Sequence, residues 1–511
     1  MNSASMNARS ERLTAALLFS ILLMTYVYVF PRWADPNQDA RLKMVVAVVD
    51  DGTFQIDKYL GTTVDYAKVG DHYYSDKAPG VAFLGIPVYA TLRGVLDLPV
   101  MDSLVNRLAN SESFKATLRA DGSGVLEQKV RFAITQIVIA VVVGAIPSAI
   151  LGVLIYLWLA QVTTSVWLRL IVALGYGLLT PAYAYANTMY GHQLSAALLF
   201  GAFYWVSTAR KQLSIPALLG IGLLLSYAFV TEYPVALVVS ILYFYTFYRL
   251  FKLGQWKGVI WVSLSAAVVA AAWMAYNTTV FGGPLTLGYG FSEQWTAQHH
   301  TGFMSLTLPH FDALWGITFG VFRGLFVLAP WLLWTVPGFW LWWRSGTMRA
   351  EFGVTLVSVI AIFLFNSASI MWWGGFAIGP RYLLPALPFL ALSIVFALRA
   401  WGGTLWLRLA LAVLLAWSFV ATWGLTLAEQ AFPSDAILNP LVEYALPNWQ
   451  AGNIARNLGT IAGFRGALSF APLVLLLGLV SAGWWWAWRR SQVVHVERQT
   501  ITPPASPMVK S

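Results

Sequence analysis

The chain has no cysteine and unusually little charge. None of its 511 residues is a cysteine, which excludes disulfide bonds, thiol nucleophiles and cysteine metal sites. Aspartate, glutamate, lysine and arginine make up only 11% of the residues, whereas 58% are hydrophobic. The apolar residues stand in continuous runs, each long enough to cross about 30 Å of hydrocarbon as a helix. The composition therefore predicts an all-α polytopic membrane protein rather than a β-barrel.

The net positive charge does not indicate a nucleic-acid partner. The formal net charge is +10, but most of the basic residues lie in short clusters at the ends of the apolar runs. Such clusters orient a membrane protein, because lysine and arginine stay on its cytoplasmic side. We therefore expect membrane lipids, and no nucleic acid, around this protein.

Hydropathy predicts about twelve membrane-spanning segments, and a thirteenth if residues 79–98 also cross. The first apolar run follows Arg9 and Arg12 and lacks a small-residue cleavage site, which indicates an uncleaved signal anchor. The predicted spans are roughly 13–30, 131–157, 166–184, 188–208, 215–231, 234–250, 258–276, 313–343, 351–368, 383–399, 404–423 and 471–488.

Alternating these spans places every basic cluster on one side, provided that residues 79–98 are interfacial or re-entrant. Both termini are then cytoplasmic, and we predict a multi-pass protein of a bacterial inner membrane. Residues 1–490 form one predicted transmembrane domain, and 491–511 form a disordered cytoplasmic tail. The outer, periplasmic or extracellular side receives five of the six histidines and three long loops, 31–78, 277–312 and 424–470.

The first outer loop concentrates ionisable residues beside the membrane. Its residues 39–49 carry apolar side chains at three- and four-residue spacing, which predicts a short amphipathic helix along the membrane surface. Asp39 stands at the start of this helix and is either a helix cap or a functional carboxylate. Lys77 stands where the chain re-enters the membrane, and its ammonium either binds a phosphate or snorkels among lipid headgroups.

The order of motifs in the chain resembles that of a known enzyme family. "DAR" (39–41) opens the surface helix and "YYSDKAPG" (73–80) closes the loop, as in the C-type, polyprenyl-phosphate-dependent glycosyltransferases. These include protein O-mannosyltransferases and the aminoarabinose transferases of lipid A (glycosyltransferase family 39 and relatives). Two departures are Gln38-Asp39, where many relatives carry an acidic pair, and Ala78, where they carry proline. Further similar segments are "YGHQLSAALLF" (190–200), "TEYPVAL" (231–237), "YNTTVFGGPLTLGY" (276–289), "FGVFRGLFVLAPWLL" (319–333) and "WWGGFAIGPRYLLPALPFL" (372–390).

The resemblance implies a membrane glycosyltransferase with the C-type fold. The implied donor is a sugar on polyprenyl phosphate, and the acceptor is a hydroxyl of a lipid, a glycan or a protein at the outer face. Asp39 is the implied base, and the implied ligands of the donor phosphate are Lys77, Arg41 and Arg381. Because a phosphate is a good leaving group, one carboxylate and a few cations suffice for a single inverting displacement.

Several alternatives stay open at this point. Asp57 and Asp65 compete with Asp39 for the role of base. The sequence requires no cofactor and assigns no metal ligand, although a divalent cation is left open because some relatives use one. A transporter or flippase of lipid-linked sugars would also need outer cations, but it favours ionisable residues within the spans. Candidates for orienting the sugar or the acceptor are His72, Tyr74, Asp76, His192 and Glu232.

Overall fold

Long apolar helices dominate the structure. The computed structural model describes residues 8–32, 35–110 and 127–501. One hairpin of two short strands, β1 (Tyr66–Val69) and β2 (His72–Ser75), interrupts the helices. The helices are α1 (Ala8–Tyr28), α2 (Pro36–Val46), α3 (Gly80–Leu96), α4 (Pro99–Ala109), α5 (Glu127–Ala140), α6 (Ile146–Leu159), α7 (Val166–Leu178), α8 (Ala182–Ala186), α9 (Gly191–Thr208), α10 (Ile215–Thr231), α11 (Ala236–Lys252), α12 (Val259–Phe281), α13 (Thr296–His299), α14 (Phe311–Thr318), α15 (Leu325–Leu328), α16 (Thr335–Ser345), α17 (Arg349–Ala368), α18 (Leu387–Trp401), α19 (Leu405–Leu427), α20 (Leu446–Gln450), α21 (Leu458–Ile461) and α22 (Ala471–Ile501).

The prediction of an all-α polytopic membrane protein is confirmed. Within the described part of the chain, eight helical stretches are long and apolar enough to cross a membrane. They are Ala8–Tyr28, Val130–Leu159, Tyr233–Lys252, Trp256–Phe281, Arg349–Ala368, Arg381–Trp401, Leu405–Leu427 and Gly466–Arg490. The structure therefore has fewer such helices than the roughly twelve spans that hydropathy predicts. Two of the expected crossings, α7 and α10, are helices of only 13 and 17 residues.

The expected crossing at 313–343 is broken in the structure. Three short helices, α14, α15 and α16, replace a single span there. Gly320, Gly324 and Pro330 lie between them, and neither residue type favours a helix interior. Apolar composition alone did not reveal this break, because the hydropathy of the segment is high throughout.

Residues 79–98 were expected to be interfacial or re-entrant. They form α3, and α4 follows at an angle of 93° to it, which is the geometry of a broken span or a re-entrant loop. Pro99 begins α4, where a missing N–H group costs no hydrogen bond. At the other end of the chain, α22 continues to Ile501, so 491–501 are helical rather than disordered. The remainder of the expected tail, 502–511, lies outside the described residues.

The amphipathic helix of the first outer loop starts earlier than expected. Asp35 is its N-cap, and the side chain accepts hydrogen bonds from the backbone N–H groups of Asn37 and Gln38 at 3.0 and 3.1 Å. Pro36 occupies the first helical position, where its fixed φ suits a helix start. Asp39, which was expected at the N-terminus of this helix, therefore lies one turn inside it.

The hairpin brings the end of the first loop next to the second outer loop. β1 and β2 pair antiparallel, and Gly70 turns the chain between them with a φ of 61°. An isolated bridge pairs Ala67 of β1 with Ser292. The side chains of Val45, Ala67 and Val81 belong to one buried apolar cluster beneath this layer. Residues 65–77 are thereby held against the segment around Ser292.

The first and the last helix of the chain lie side by side. The indole N–H of Trp484 donates to the Thr14 hydroxyl at 3.3 Å. The Tyr28 hydroxyl donates to the Ser469 carbonyl at 2.5 Å. These two contacts make α1 and α22 antiparallel, so the start of α1 and the end of α22 lie at one end of the bundle and the first outer loop lies at the other.

Candidate active site

A cavity of about 170 Å³ that is lined in part by ionisable residues lies where the first outer loop meets the ends of the helices. The ionisable residues that line it are Asp35, Arg41, Asp65, Lys77, His192, Glu232, His299 and Arg381, with the tyrosines Tyr190, Tyr289 and Tyr382. Six residues of this set were predicted from the sequence: Arg41, Asp65, Lys77, His192, Glu232 and Arg381. The cavity thus holds three carboxyl groups, one lysine and two arginines, and it combines groups that can take up a proton with groups that can hold an anion.

Asp35 joins the wall of the cavity to the start of α2. Besides the two backbone N–H groups that bind its Oδ1, its Oδ2 accepts a hydrogen bond from the Tyr190 hydroxyl at 2.8 Å. The residue is only 3% exposed, and this burial raises the pKa of its carboxyl group. Each carboxylate oxygen has two lone pairs, so Oδ2 retains one for a proton from a bound molecule.

Lys77 lies between two aspartates. Its Nζ is 3.0 Å from Oδ2 of Asp65 and 3.1 Å from Oδ2 of Asp76. Burial works to raise the pKa of Asp65, but Lys77, the Trp295 hydrogen bond and Arg381 together lower it below its ordinary value. In turn, burial works to lower the pKa of Lys77, but the two carboxylates raise it. Lys77 is therefore charged at neutral pH, and one of its three N–H groups is left for a ligand.

Arg41 crosses from α2 to the segment between α10 and α11. Its Nη2 donates to Oε1 of Glu232 at 3.2 Å, and both side chains are buried. The ring Nδ1 of His192, at the start of α9, is 3.5 Å from the same oxygen. Burial raises the pKa of Glu232, whereas the guanidinium of Arg41 works against this shift. The three residues join the first outer loop to two helix ends at the cavity.

Arg381 differs from the other cations of the cavity because it has no acidic partner. Its guanidinium lies over the rings of Tyr190 and Tyr382, at 4.9 and 5.2 Å from their centroids. In the part of the chain that the structure describes, no carboxylate lies within ion-pair distance of it, and its buried Nε has no hydrogen-bond partner. Gly374 packs against this side chain, and an added Cβ would come within 3.0 Å of Nε. Within the described residues, Arg381 thus keeps an Nε–H group that no protein acceptor occupies.

The structure places the remaining predicted residues outside the lining of the cavity. Asp39 is buried on α2 and interacts electrostatically with Lys43, so its role as base stays a prediction. Asp57 binds Nδ1 of His72 at 2.8 Å on an exposed surface. The other two are Tyr74, which packs edge-on against Phe281 at 6.4 Å, and Asp76, which reaches the cavity only through Lys77.

Five ionisable residues of the cavity were not predicted: Asp35, His299, Tyr190, Tyr289 and Tyr382. Asp35 had a usable signal, because an aspartate followed by proline before an amphipathic stretch is typical of an N-cap. His299 and the three tyrosines come together only through the fold. Burial lowers the pKa of His299 to about 4, so its ring is neutral at pH 7, and it stacks on Tyr289 at 5.1 Å.

The carboxylates of the cavity are engaged by protein groups. Lysine, arginine and tyrosine side chains bind them, as described above. Among the residues that the structure describes, no group of three or more histidines, aspartates or glutamates is placed to hold a metal ion. The described residues therefore assign no ligand to a divalent cation, as was the case for the sequence.

Arg323 positions the turn that covers Arg381. It is fully buried, and its Nε and Nη2 donate to the carbonyls of Trp373 and Gly375 at 3.1 and 2.8 Å. These two hydrogen bonds flank Gly374, the residue that packs against Arg381. Arg323 thereby holds Gly374 in its position against the Arg381 side chain.

Replacing Arg323 by methionine is expected to loosen this turn. The two hydrogen bonds from a charged donor contribute about 1.5–3 kcal/mol each, so local opening becomes at least roughly tenfold more frequent. Amide hydrogen exchange over residues 373–381 measures this opening. Arg323→Lys, which keeps the charge but not the two-armed donor, should give an intermediate rate; wild-type exchange in both variants would contradict the assignment.

Comparisons with known proteins give a likeness to solved structures only. No family model matches the chain, and no curated protein matches it. The chain is similar to the crystal structure of ArnT from Cupriavidus metallidurans bound to undecaprenyl phosphate. The TM-score is 0.46 and the sequence identity 15%, over 86% of this chain and 73% of that chain. The assignment of a function to this chain therefore rests on its own motifs and its own cavity.

Proposed function

We propose that this protein is a membrane glycosyltransferase of the C-type. It moves a sugar from a polyprenyl-phosphate donor to an acceptor hydroxyl at the outer face of the membrane. The observation that carries this proposal is Arg381, a half-buried arginine with no acidic partner among the described residues, in one cavity with the Asp35 carboxylate. The ordered motifs of the sequence support the same class of reaction.

Arg381 and Lys77 hold the donor phosphate in this proposal. Arg381 offers N–H groups that no carboxylate occupies, and the fork of its guanidinium suits two phosphate oxygens. Lys77 contributes the one N–H group of its ammonium that is not directed at Asp65 or Asp76. Arg41 is the third cation of the sequence prediction. It is already paired with Glu232, so we assign it to holding the Glu232 carboxylate in place rather than to binding the phosphate.

We assign the role of base to Asp35 rather than to Asp39. Asp35 lines the cavity and its pKa is raised by burial, which makes it a better proton acceptor than an ordinary aspartate. Asp65, the other rival, is held by Lys77 and has a lowered pKa, so it accepts a proton less readily. Asp35 takes the proton of the acceptor hydroxyl as the new bond to the anomeric carbon forms.

The displacement then proceeds in one step. The bond between the anomeric carbon and the phosphate oxygen breaks, and its electron pair stays on the departing phosphate, where Arg381 and Lys77 stabilise the negative charge. The acceptor oxygen attacks from the opposite side, so the anomeric carbon inverts. The aromatic faces of Tyr190 and Tyr289 and the Glu232–His192 pair are the groups available to orient the sugar.

The orientation in the membrane follows from the basic clusters. Arg210, Arg249 and Arg489 lie at the same end of the bundle as the start of α1, opposite the cavity. The positive-inside rule assigns that end to the cytoplasm. We therefore propose a bacterial inner-membrane protein whose cavity faces the periplasm or the cell exterior.

The test uses the purified full-length protein in liposomes with radiolabelled polyprenyl-phosphate pentoses and hexoses and a membrane extract as the acceptor source. Release of polyprenyl phosphate together with a labelled acceptor is expected. Movement of intact donor across the bilayer without cleavage would instead support the transporter that the sequence left open. If every donor gives no release of polyprenyl phosphate and no movement across the bilayer, the proposal is contradicted.

A further inference from the structure

His299 lines the cavity on the side that the second outer loop contributes. Its backbone N–H donates to the carbonyl of Trp295 at 2.9 Å, one helical turn earlier. The indole N–H of Trp295 donates to Oδ1 of Asp65 at 3.3 Å, and Oδ2 of the same carboxylate holds Lys77 at 3.0 Å. The pKa of the His299 ring is lowered first by burial and then by the nearby Lys77 ammonium. His299 therefore lies close to the proposed phosphate site.

The hydrogen bonds of Ser305 determine which ring nitrogen of His299 carries the proton. The Ser305 hydroxyl lies 3.0 Å from the carbonyl of Gln298 and 3.2 Å from Nδ1 of His299. The Met371 sulfur, at 3.7 Å from this hydroxyl, is a weaker acceptor. Because a hydroxyl has one proton and a carbonyl can only accept, Ser305 donates to Gln298 and accepts from Nδ1. In this neutral ring Nε2 is then an acceptor, and no donor among the described residues is bonded to it.

The turn that carries Ser305 is held in a strained conformation. Met304 and Ser305 have φ angles of 51° and 72°, in the left-handed region that residues other than glycine rarely adopt. The Ser305 N–H donates to the Thr301 carbonyl at 3.1 Å, and the Ser305 carbonyl accepts from the Ile370 N–H at 2.9 Å. Such strain persists only where the surroundings determine the conformation, and it is concentrated at binding sites. The fold thus keeps the Ser305 hydroxyl against the imidazole despite the strain.

We propose that Nε2 of His299 accepts a hydrogen bond from a hydroxyl group of the transferred sugar. This inference rests on the proposed function, because it takes the donor phosphate to lie on Arg381 and Lys77. The sugar is bonded directly to that phosphate, so the donor groups next to the phosphate near Lys77 belong to the sugar. The His299 ring is stacked on Tyr289 at 5.1 Å, which holds its orientation. His299 therefore selects sugars that carry a free hydroxyl at this position, and it does not contact the phosphate.

Isothermal titration of the purified full-length protein tests this proposal. The ligands are polyprenyl phosphate alone and polyprenyl phosphate linked to glucose, mannose or arabinose. His299→Phe keeps the stacked ring but has no acceptor, so it should bind the donor that the wild type binds most tightly roughly 10–100-fold more weakly. Its affinity for polyprenyl phosphate alone should stay at the wild-type level. His299→Gln, whose side-chain oxygen can take the place of Nε2, should recover part of the lost affinity.

His300→Phe is the matched control. His300 is exposed, does not line the cavity and has its Nδ1 2.8 Å from the Thr296 carbonyl, so its replacement should leave all four affinities unchanged. Wild-type affinity of His299→Phe for the sugar-linked donor would overturn the proposal. So would an equal loss for polyprenyl phosphate alone, or a wild type that binds no sugar-linked donor more tightly than polyprenyl phosphate. If the wild type does not bind polyprenyl phosphate at all, the proposed function itself is contradicted, and this inference with it.

Nitrogen NMR of the protein with isotope-labelled histidine tests the tautomer separately. The signal that disappears in His299→Phe should report a protonated Nδ1 and an unprotonated Nε2. Ser305→Ala removes the acceptor of the Nδ1 proton, so it should shift this signal toward the other tautomer and weaken binding of the sugar-linked donor. A protonated Nε2 in the wild type would overturn the proposal. Unchanged melting temperatures show that the variants fold.

Discussion

Asp35→Asn is expected to lower the rate of sugar transfer by about 10²–10⁴-fold, the usual contribution of a general base. The amide cannot take up the proton of the acceptor hydroxyl. It can still cap α2, because asparagine is as good an N-cap as aspartate, so the helix and the overall fold should survive the change. Single-turnover transfer from a polyprenyl-phosphate sugar measures the effect without interference from product release.

Asp39→Asn provides the matched control for this variant. It makes the same chemical change on the same helix, one turn further along, at a position that does not line the cavity. We expect its rate to stay close to that of the wild type. The reverse outcome, an inactive Asp39→Asn and an active Asp35→Asn, would return the role of base to Asp39, as the sequence predicts.

The pH dependence separates Asp35 from Asp65. A base must be deprotonated to act, so the rate falls as the pH drops through its pKa. Because burial raises the pKa of Asp35, this fall should occur above the ordinary aspartate value of about 3.9. If Asp65 were the base, its lowered pKa would move the fall to more acidic pH. The acidic limb of a pH–rate profile therefore distinguishes the two carboxylates.

Arg381→Gln is expected to weaken the binding of polyprenyl phosphate by roughly 10²–10⁴-fold. The variant removes two charge-assisted hydrogen bonds to the phosphate, which contribute about 1.5–3 kcal/mol each. Arg381→Lys keeps the charge but not the fork, so we expect an intermediate loss. Isothermal titration of the purified protein with polyprenyl phosphate measures this loss and needs neither sugar nor acceptor.

Arg465→Gln controls for the loss of one positive charge on the same side of the protein. Arg465 is exposed in the third outer loop and does not line the cavity, so its replacement should leave the affinity for polyprenyl phosphate unchanged. Wild-type affinity in Arg381→Gln would remove the arginine from the phosphate site. An equal loss in both variants would point to a general effect of charge rather than to a specific contact.

Much of the fold could be predicted because it depends on composition over long stretches. Continuous apolar runs indicate membrane helices whatever their neighbours are, and that prediction is confirmed. The break at 313–343 could not be predicted, because hydropathy does not register how Gly320, Gly324 and Pro330 interrupt a helix. The hydrogen bond from Arg323 to the Trp373 carbonyl joins residues fifty positions apart in the sequence, and no local pattern predicts it.

The candidate site was predictable only where its residues stand in local motifs. Lys77 and Arg381 could be singled out because each stands where the chain enters the membrane. Asp35 was overlooked in favour of Asp39, since the apolar spacing alone left the start of α2 uncertain by one turn. Tyr190 meets Arg381 only through the folding of α9 against the segment before α18, and no local pattern shows such a long-range contact.

The pairing of α1 with α22 affects how the chain must assemble during synthesis. Trp484 follows Thr14 by 470 residues, so the contact between α1 and α22 forms only after α22 has emerged from the ribosome. The side of α1 that carries Leu22 and Tyr26 can dock earlier, against Gly152 of α6 and Gly177 of α7. A bundle without α22 therefore leaves the helix preceding the first outer loop without one of its neighbours.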